Sequence, residues 1–264
     1  MAIAGLEVLD GKLLDGLEFC AQAYAAFDRI RNSPGGIEEL RMLTSPRAKK
    51  MVEEILPLAS YVQARYGPGL RLKIRWIGGS QSYDAYVGCS GSDVQHGGVL
   101  KRQFLEVTTA LHENDYLVRE HLNEEGFAFA PRGTRRDPKT RAVTSTPSVY
   151  GYRQPEAELV DQISERIAKK AEKRYPKPTL LLIRCVVNMP ILDDEWDYVV
   201  QELRKREEPL PFREVILLEP VSQRFTTLYF RRPKSRGRSD KALQPRSRAQ
   251  GQLGSNTKRR AARG

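Results

Sequence analysis

The spacing of apolar residues changes at Gly67-Pro68-Gly69, and this change restricts the chain to folds that combine helices with a sheet. Residues 45–65 carry apolar side chains at the 3.6-residue period of a helix, whereas residues 70–76 alternate between apolar and basic side chains. Strict alternation is typical of a half-buried strand. Ser45 is the predicted N-cap of the helix, and Pro57 is expected to kink it.

The remaining segments predict the order helix, helix, three strands, two helices, strand, helix and two strands. Helices are predicted at residues 12–31, 45–65, 113–125, 155–175 and 193–206, and strands at 70–76, 82–88, 103–109, 179–186, 214–219 and 225–230. Residues 179–186 are almost wholly apolar, which is typical of a strand in the middle of a sheet. Residues 131–153 are basic and contain prolines, and we expect a long loop there. The order predicts an α/β fold with a mixed central sheet flanked by helices.

The formal net charge of +11 is concentrated at the C-terminal end. Of the 44 Lys and Arg residues, twelve lie in residues 231–264 beside a single acid, Asp240, so the charges of the rest of the chain balance. The same segment has too few apolar side chains to form a core, and we predict a disordered basic tail. The sequence therefore divides into an N-terminal helical segment at 1–45 that packs on the core, an α/β domain at 46–230 and the tail.

A basic tail favours nucleic acid as the partner. Lys and Arg side chains that neutralise phosphates release condensed counterions, and such contacts hold the backbone without reading the base sequence. The tail is also compatible with nonspecific binding of polyanions or with a role in solubility. The predicted nucleic-acid contacts are Arg132, Arg135, Arg136, Arg231, Arg232, Lys234, Arg236, Arg238, Lys258, Arg259 and Arg260.

Several classes of protein are disfavoured by what the sequence lacks. No apolar run approaches the roughly 20 residues of a membrane helix, and no basic segment precedes an apolar stretch near Met1, so neither a membrane span nor a signal peptide is expected. Cys20, Cys89 and Cys185 are far apart, which predicts no disulfide framework and a reducing, cytoplasmic location. The three histidines do not have the spacing of a zinc site, and no glycine motif for a nucleotide cofactor is present.

Two acids fall in neighbouring predicted strands, Asp84 in SYDAYV and Glu106 in FLEVTTA. Because side chains alternate along a strand, Glu106 and Thr108 face the same way. If the two strands pair, the carboxylates meet at one edge of the sheet and repel each other unless a cation lies between them. Mg²⁺ prefers such oxygen ligands, and a metal held there can activate water and stabilise a phosphoryl transition state.

Structural explanations for the same residues remain open at this point. Asp84, near the start of a strand, could be a turn or cap residue. Glu106 would be costly in a sheet interior without a partner, and it could pair with Arg75 or Arg119. Asp115 and Arg119 could form an exposed ion pair between residues four apart on a helix.

The succession helix, three strands, helix, strand over residues 46–186, with Asp84 in the second strand and Glu106 in the third, resembles the PD-(D/E)XK nuclease superfamily of restriction-endonuclease-like folds. The resemblance implies metal-dependent hydrolysis of phosphodiester bonds in nucleic acid, DNA in preference to RNA, with Asp84 and Glu106 holding Mg²⁺. It also implies an acid on the first helix, for which Glu53 and Glu54 are the candidates.

One position departs from the family pattern, because Thr108 occupies the place of the lysine two residues after the glutamate. His112, Asp115 and Arg119 are spaced to share one helix face, so Arg119 or His112 is the predicted replacement. In this interpretation Thr108 helps to orient water or substrate, and Arg119 stabilises the developing phosphate charge. The alternative is a non-catalytic module of the same fold that binds nucleic acid or a protein partner.

Overall fold

The protein has a mixed α/β fold, as the sequence predicts. A computed structural model describes residues 3–187, 190–206 and 210–228. Within these ranges the α-helices are α1 (Gly16–Arg31), α2 (Gly36–Met42), α3 (Pro46–Lys50), α4 (Leu56–Arg65), α5 (Ser92–Gln95), α6 (Asp115–Glu125), α7 (Gln154–Ala171) and α8 (Asp193–Lys205). None of these helices combines the length and the apolar character needed to cross a membrane. The predicted contacts of the basic tail, from Arg231 onward, lie outside the described residues.

Seven strands form the central sheet. In the described residues the strands are β1 (Leu14–Asp15), β2 (Arg71–Trp76), β3 (Ala85–Ser90), β4 (Arg102–Ala110), β5 (Thr134–Arg136), β6 (Val143–Ser145), β7 (Thr179–Cys185), β8 (Val215–Glu219) and β9 (Arg224–Leu228). The sheet has the order β1-β2-β3-β4-β7-β8-β9, and β5 and β6 form a separate hairpin. Strands β1 to β4 are antiparallel neighbours, β4, β7 and β8 are parallel, and β9 is antiparallel to β8.

Each face of the sheet has its own hydrophobic core. On one face, which we call the α4 face, side chains such as Leu105 and Leu182 pack with α1, α3 and α4. On the other, the α7 face, Leu181 and Ile183 pack with α7 and α8. Strand β7 is thus buried on both sides, which confirms its predicted central position. The alternation along β4 places Glu106 on the α7 face.

The helical segment after Ser45 is interrupted before Pro57. The Ser45 hydroxyl accepts a hydrogen bond from the backbone N–H of Ala48 at 3.1 Å, so the predicted N-cap is confirmed. A π-helical turn at Met51–Ile55 joins α3 to α4, and the Leu56 N–H bonds to the Met51 carbonyl five residues earlier. Proline has no N–H to continue the ladder, and the wider turn absorbs the disruption.

Residues 131–153 are more ordered than the long loop that the sequence predicts. They contain a 3₁₀ turn at Pro131–Gly133 and the hairpin of β5 and β6. The Thr134 and Ser145 hydroxyls lie 2.9 Å apart across the hairpin, and Arg136 forms an ion pair with Glu120 of α6. These polar contacts fix a segment that lacks the apolar alternation by which strands are recognised in sequence. The short helices α2 and α5 were likewise not predicted.

Removing apolar volume from β7 is expected to destabilise the protein strongly. Leu182 is fully buried, and Leu182→Ala should lower the free energy of unfolding by about 2–5 kcal/mol because it leaves a cavity. Val221→Ala, at a side chain that is 68% exposed, should change it by about 0.5 kcal/mol or less. Urea unfolding measures both, and equal effects would contradict the central position of β7.

Candidate functional site

The central feature of the site is the point at which β4 loses β3 as its neighbour. The register between the two strands ends at Ala85 and Leu105, whereas β4 continues to Ala110. Just beyond the last pair, the backbone N–H of Val107 donates to Oδ2 of Asp84 at 2.7 Å. The Asp84 carboxylate therefore takes the place of a strand carbonyl, and the edge of β4 beyond it opens into a cleft.

The cleft has a volume of about 280 Å³, and its charges are divided between its walls. The acids come from the π-helical turn and the bend just before β3, and the bases come from α7. Its polar lining consists of Glu53, Glu54, Asp84, Thr108, Thr109, Tyr116, Arg166 and Lys170. An arrangement of this kind can accept a cation against one wall and an anion against the other.

Asp84 lines the cleft, and it is brought together with Glu106, which is buried beside the cleft and is not among its described lining residues. Extension of the strand register places them opposite each other. Burial and the negative charge of Glu106 raise the pKa of Asp84 to about 6, although the Val107 N–H and Lys170 act in the opposite direction. Two carboxylates with unfavourable mutual charge, one half-buried at Asp84 and one buried at Glu106, are therefore held close together, as expected if the strands paired.

The partner of Glu106 is Lys170, in the last turns of α7. Glu106 is only 5% exposed, and its Oε1 accepts a hydrogen bond from Lys170 Nζ. Neither of the partners considered from the sequence makes this contact. Arg75 lies over the ring of Tyr86, with its Cζ 5.3 Å from the centroid. The suggested ion pair of Glu106 with Arg75 or Arg119 is therefore wrong, because Lys170 is the partner.

Arg119 bonds to Asp115 and not to Glu106. Its Nε donates to Asp115 Oδ2 at 2.7 Å, and its Nη1 donates to the Arg41 carbonyl at 3.4 Å. The side chain of Asp115 is 4% exposed and that of Arg119 is 16% exposed, so the pair is largely buried and not exposed as the spacing suggested. Among the described residues that line the cleft there is neither Arg119 nor His112. The structure therefore brings Lys170, and neither predicted replacement, to the carboxylates.

Both acids proposed for the first helix line the cleft from the π-helical turn. One carboxylate oxygen of Glu54 accepts a hydrogen bond from Lys50 Nζ at 2.5 Å, and the other accepts one from Trp76 Nε1 at 3.0 Å. Burial and the charge of Asp84 raise the pKa of Glu54. Glu53 accepts a hydrogen bond from the Tyr116 hydroxyl at 3.2 Å. Glu54 is thus already bonded at both oxygens.

Tyr175 lies beside the two central acids and was not predicted. Burial, followed by the charges of Glu106 and Asp84, raises the pKa of its phenol. Its hydroxyl is buried close to Glu106. A neutral phenol in this position adds a potential donor near the carboxylates.

The predicted nucleic-acid contacts in residues 131–153 are partly neutralised. Arg136 is paired with Glu120. Arg132 is exposed, lies 3.9 Å from Glu158 and has its Cζ 5.9 Å from the centre of the Tyr150 ring. Arg135 is exposed on β5.

A second cleft, of about 120 Å³, lies where β4 and β7 end and α7 begins. Its walls are mostly apolar, and its three glutamates already have partners. Glu156 pairs with Arg153, Glu158 accepts from Gln154, and Glu195 accepts from the Leu192 N–H. This cleft lacks the opposed charges of the first one, which is the better candidate for chemistry.

Lys170 is the main residue that sequence reasoning missed. Together with Lys169 it looks like the pair of basic residues that commonly ends a helix, where the helix dipole favours positive charge. A usable signal was present, because Lys170 lies three residues after Ile167 and seven after Ile163, both buried. Positions at that spacing border the packed stripe of a helix.

Comparison with protein-family models, with curated proteins and with solved structures found no match to this chain. In the part of the chain that the structure describes, no group of three or more His, Cys, Asp or Glu side chains is arranged to hold a metal ion.

Replacing Asp84 by Asn is expected to stabilise the protein at neutral pH. The folded protein holds the Asp84 proton up to about pH 6, whereas the unfolded chain releases it near pH 3.8. The folded state therefore loses stability as the pH rises from about 4 to 6. Asp84→Asn removes this loss, which amounts to at most about 3 kcal/mol, and should be more stable than wild type at pH 7.5 but not at pH 4.

Urea unfolding at the two pH values measures the difference. Asp197→Asn, at an exposed acid of α8, is the matched control and should give no gain at either pH. An Asp84→Asn protein that is less stable than wild type at pH 7.5 would show that the ionised carboxylate stabilises the fold.

Proposed function

We propose that the protein hydrolyses phosphodiester bonds in nucleic acid, DNA in preference to RNA, with Mg²⁺ bound at the cleft between β3, β4 and α7. The observation that carries the proposal is the convergence of Asp84 and Glu106 at the open edge of β4 with Lys170 bonded to Glu106. Acid, acid and lysine are the residue types that the nuclease resemblance implies, here with the lysine on a helix instead of two residues after the glutamate.

The topology around the cleft supports the proposal. A helical segment at 46–65 precedes β2, β3 and β4, and helices precede β7, which is the succession on which the resemblance rests. Strand β4 pairs with β3 on one side and, in parallel, with β7 on the other. Glu106 thus lies within β4, and Asp84 lies in the bend directly before β3, one residue outside the strand in which the sequence placed it.

The donor atoms fit a Mg²⁺ site with few protein ligands. Mg²⁺ is commonly bound through one or two carboxylates, with water and substrate phosphate completing its coordination, so a cluster of three acids is not required. Asp84 and Glu106 provide carboxylate oxygens, and a cation beside them would relieve the repulsion that raises the pKa of Asp84. Glu54 is less available, because Lys50 and Trp76 occupy its two oxygens.

The cation, Lys170 and Thr108 would each have a separate role in hydrolysis. A bound divalent cation would supply Lewis acidity toward the phosphate and toward a water molecule. Lys170 would hold Glu106 in place and present its remaining N–H groups to that water or to a phosphate oxygen, since an ammonium has three donors. Thr108, on the same face of β4 as Glu106, would orient the water through its hydroxyl.

The alternative is a module of the same fold that binds nucleic acid or a protein partner without cutting. The observation that favours it is the ion pair between Glu106 and Lys170, which satisfies both groups without a metal. The two functions differ in whether the acids respond to a divalent cation.

Divalent cations are expected to stabilise the wild-type protein and to support cleavage. Mg²⁺ or Mn²⁺ should raise its melting temperature at pH 7.5 and produce nicking of plasmid or of single-stranded DNA. Glu106→Gln should remove the metal-dependent shift and reduce cleavage by about 10²–10³-fold, the order expected when one stabilising group of a transition state is lost. DNA retention without cleavage and without a metal-dependent shift would favour the non-catalytic module.

Lys170 is tested with a neighbouring lysine as control. Lys170→Met should reduce cleavage by about 10²-fold, and Lys170→Arg should restore part of it, because the positive charge returns with a different geometry. Lys169→Met removes an exposed charge from the same helix turn and should leave cleavage unchanged. Unfolding in EDTA checks that each variant is folded, and full activity in Lys170→Met would contradict the role of Lys170.

Deletion of residues 231–264 is expected to reduce the salt dependence of nucleic-acid binding. Each phosphate neutralised by a basic side chain contributes about 0.7–0.9 to the slope of log K against log salt concentration. The deletion removes twelve Lys and Arg residues, and the slope should decrease by several such increments. Fluorescence anisotropy at a series of KCl concentrations measures this, and an unchanged slope would place the binding surface on the folded domain.

A further inference from the structure

Two polar atoms in the cleft are buried without a hydrogen-bond partner in the described part of the chain. They are the hydroxyl oxygen of Thr109 and Nε of Arg166, and both residues line the cleft. Buried polar atoms in folded proteins are nearly always bonded, and an exception commonly marks the place of a water, an ion or a ligand. Because a guanidinium can only donate, the missing partner of Arg166 must be an acceptor.

The position of Arg166 on α7 separates it from the ion pair of Lys170. The two residues are four apart and share one face of the helix, and both face the cleft. Lys170 bonds to Glu106, whereas no acid in the described ranges lies within ion-pair distance of Arg166. The adjacent Ile163 and Ile167 are buried and hold this part of the helix against the sheet.

The opposite wall of the cleft explains which anion would fit. Glu53, Glu54 and Asp84 give that wall negative charge, so a divalent cation binds on that side and an anion binds against the α7 wall. A ligand that carries an anionic group and also binds a cation suits both walls. Guanidinium groups bind phosphate through paired N–H donors, and hydroxyl groups such as that of Thr108 bind phosphate oxygens as well.

We propose that Arg166, assisted by the hydroxyl of Thr108 on the same face of β4 as Glu106, forms a phosphate-binding subsite on the α7 wall of the cleft. It holds a backbone phosphate of the nucleic acid next to the carboxylates Asp84 and Glu106. The identity of the substrate rests on the proposed function, but phosphate binding by Arg166 needs neither metal nor cleavage. Arg166 is thus assigned a role in positioning the substrate that is distinct from that of Lys170.

Inorganic phosphate is the probe, titrated into the full-length protein in EDTA at pH 7.5, with KCl adjusted to keep the ionic strength constant. Wild type should show a saturable rise in melting temperature. Arg166→Gln should weaken the apparent phosphate affinity at least fivefold, and Arg166→Lys should give an intermediate value. Lys169→Gln, which removes an exposed charge one turn away and leaves the basic tail intact, should match wild type within twofold.

The outcomes separate this inference from the proposed function. If Arg166→Gln weakens phosphate binding but Mg²⁺ has no effect on the melting temperature, the phosphate subsite is supported and metal-dependent hydrolysis is contradicted. If Mg²⁺ raises the melting temperature of wild type but not of Glu106→Gln, and Arg166→Gln binds phosphate as well as wild type, the metal-dependent hydrolase is supported and the phosphate subsite is contradicted. Equal weakening by Arg166→Gln and Lys169→Gln would also overturn the subsite, because the effect would then come from overall charge.

Discussion

The hydrogen bond from the Val107 N–H to the Asp84 carboxylate is the contact on which the site depends. It closes the ladder between β3 and β4 with a side chain where a backbone carbonyl would otherwise continue it. A carboxylate used in this way must remain near the sheet interior, where burial and Glu106 both oppose its ionisation. The structure tolerates this because Lys170 and Lys50 lie close by, and because the open strand edge leaves space for a compensating charge.

Lys50, Lys170 and Arg166 have different effects on the charge balance around the cleft. Lys50 bonds to Glu54 and Lys170 bonds to Glu106, so each reduces the local excess of negative charge. Arg166 bonds to neither acid and leaves the α7 wall positive. The cleft is consequently polarised and not neutral throughout, and polarised clefts with low-dielectric walls concentrate charged ligands.

Much of the fold could be predicted from the sequence, but less of the site. Alternation in residues 70–76 and the apolar run at 179–186 identify β2 and β7, because period and composition are local properties. The meeting of Asp84 with Glu106 was also within reach, since neighbouring strands in sequence commonly pair. Lys170 was not, because it reaches Glu106 through the packing of α7, and the hairpin within 131–153 depends on hydroxyl and ion-pair contacts that no apolar period reveals.

The parallel pairing of β4 with β7 has a consequence for the order of assembly. Strands β2, β3 and β4 are joined by short connections, so their antiparallel pairs can form early at small entropic cost. Pairing of β7 with β4 closes a much longer loop that contains α6, the β5–β6 hairpin and α7, and pairings between distant segments slow folding. We therefore expect Asp84 and Glu106 to meet during folding before α7 brings Lys170 to them.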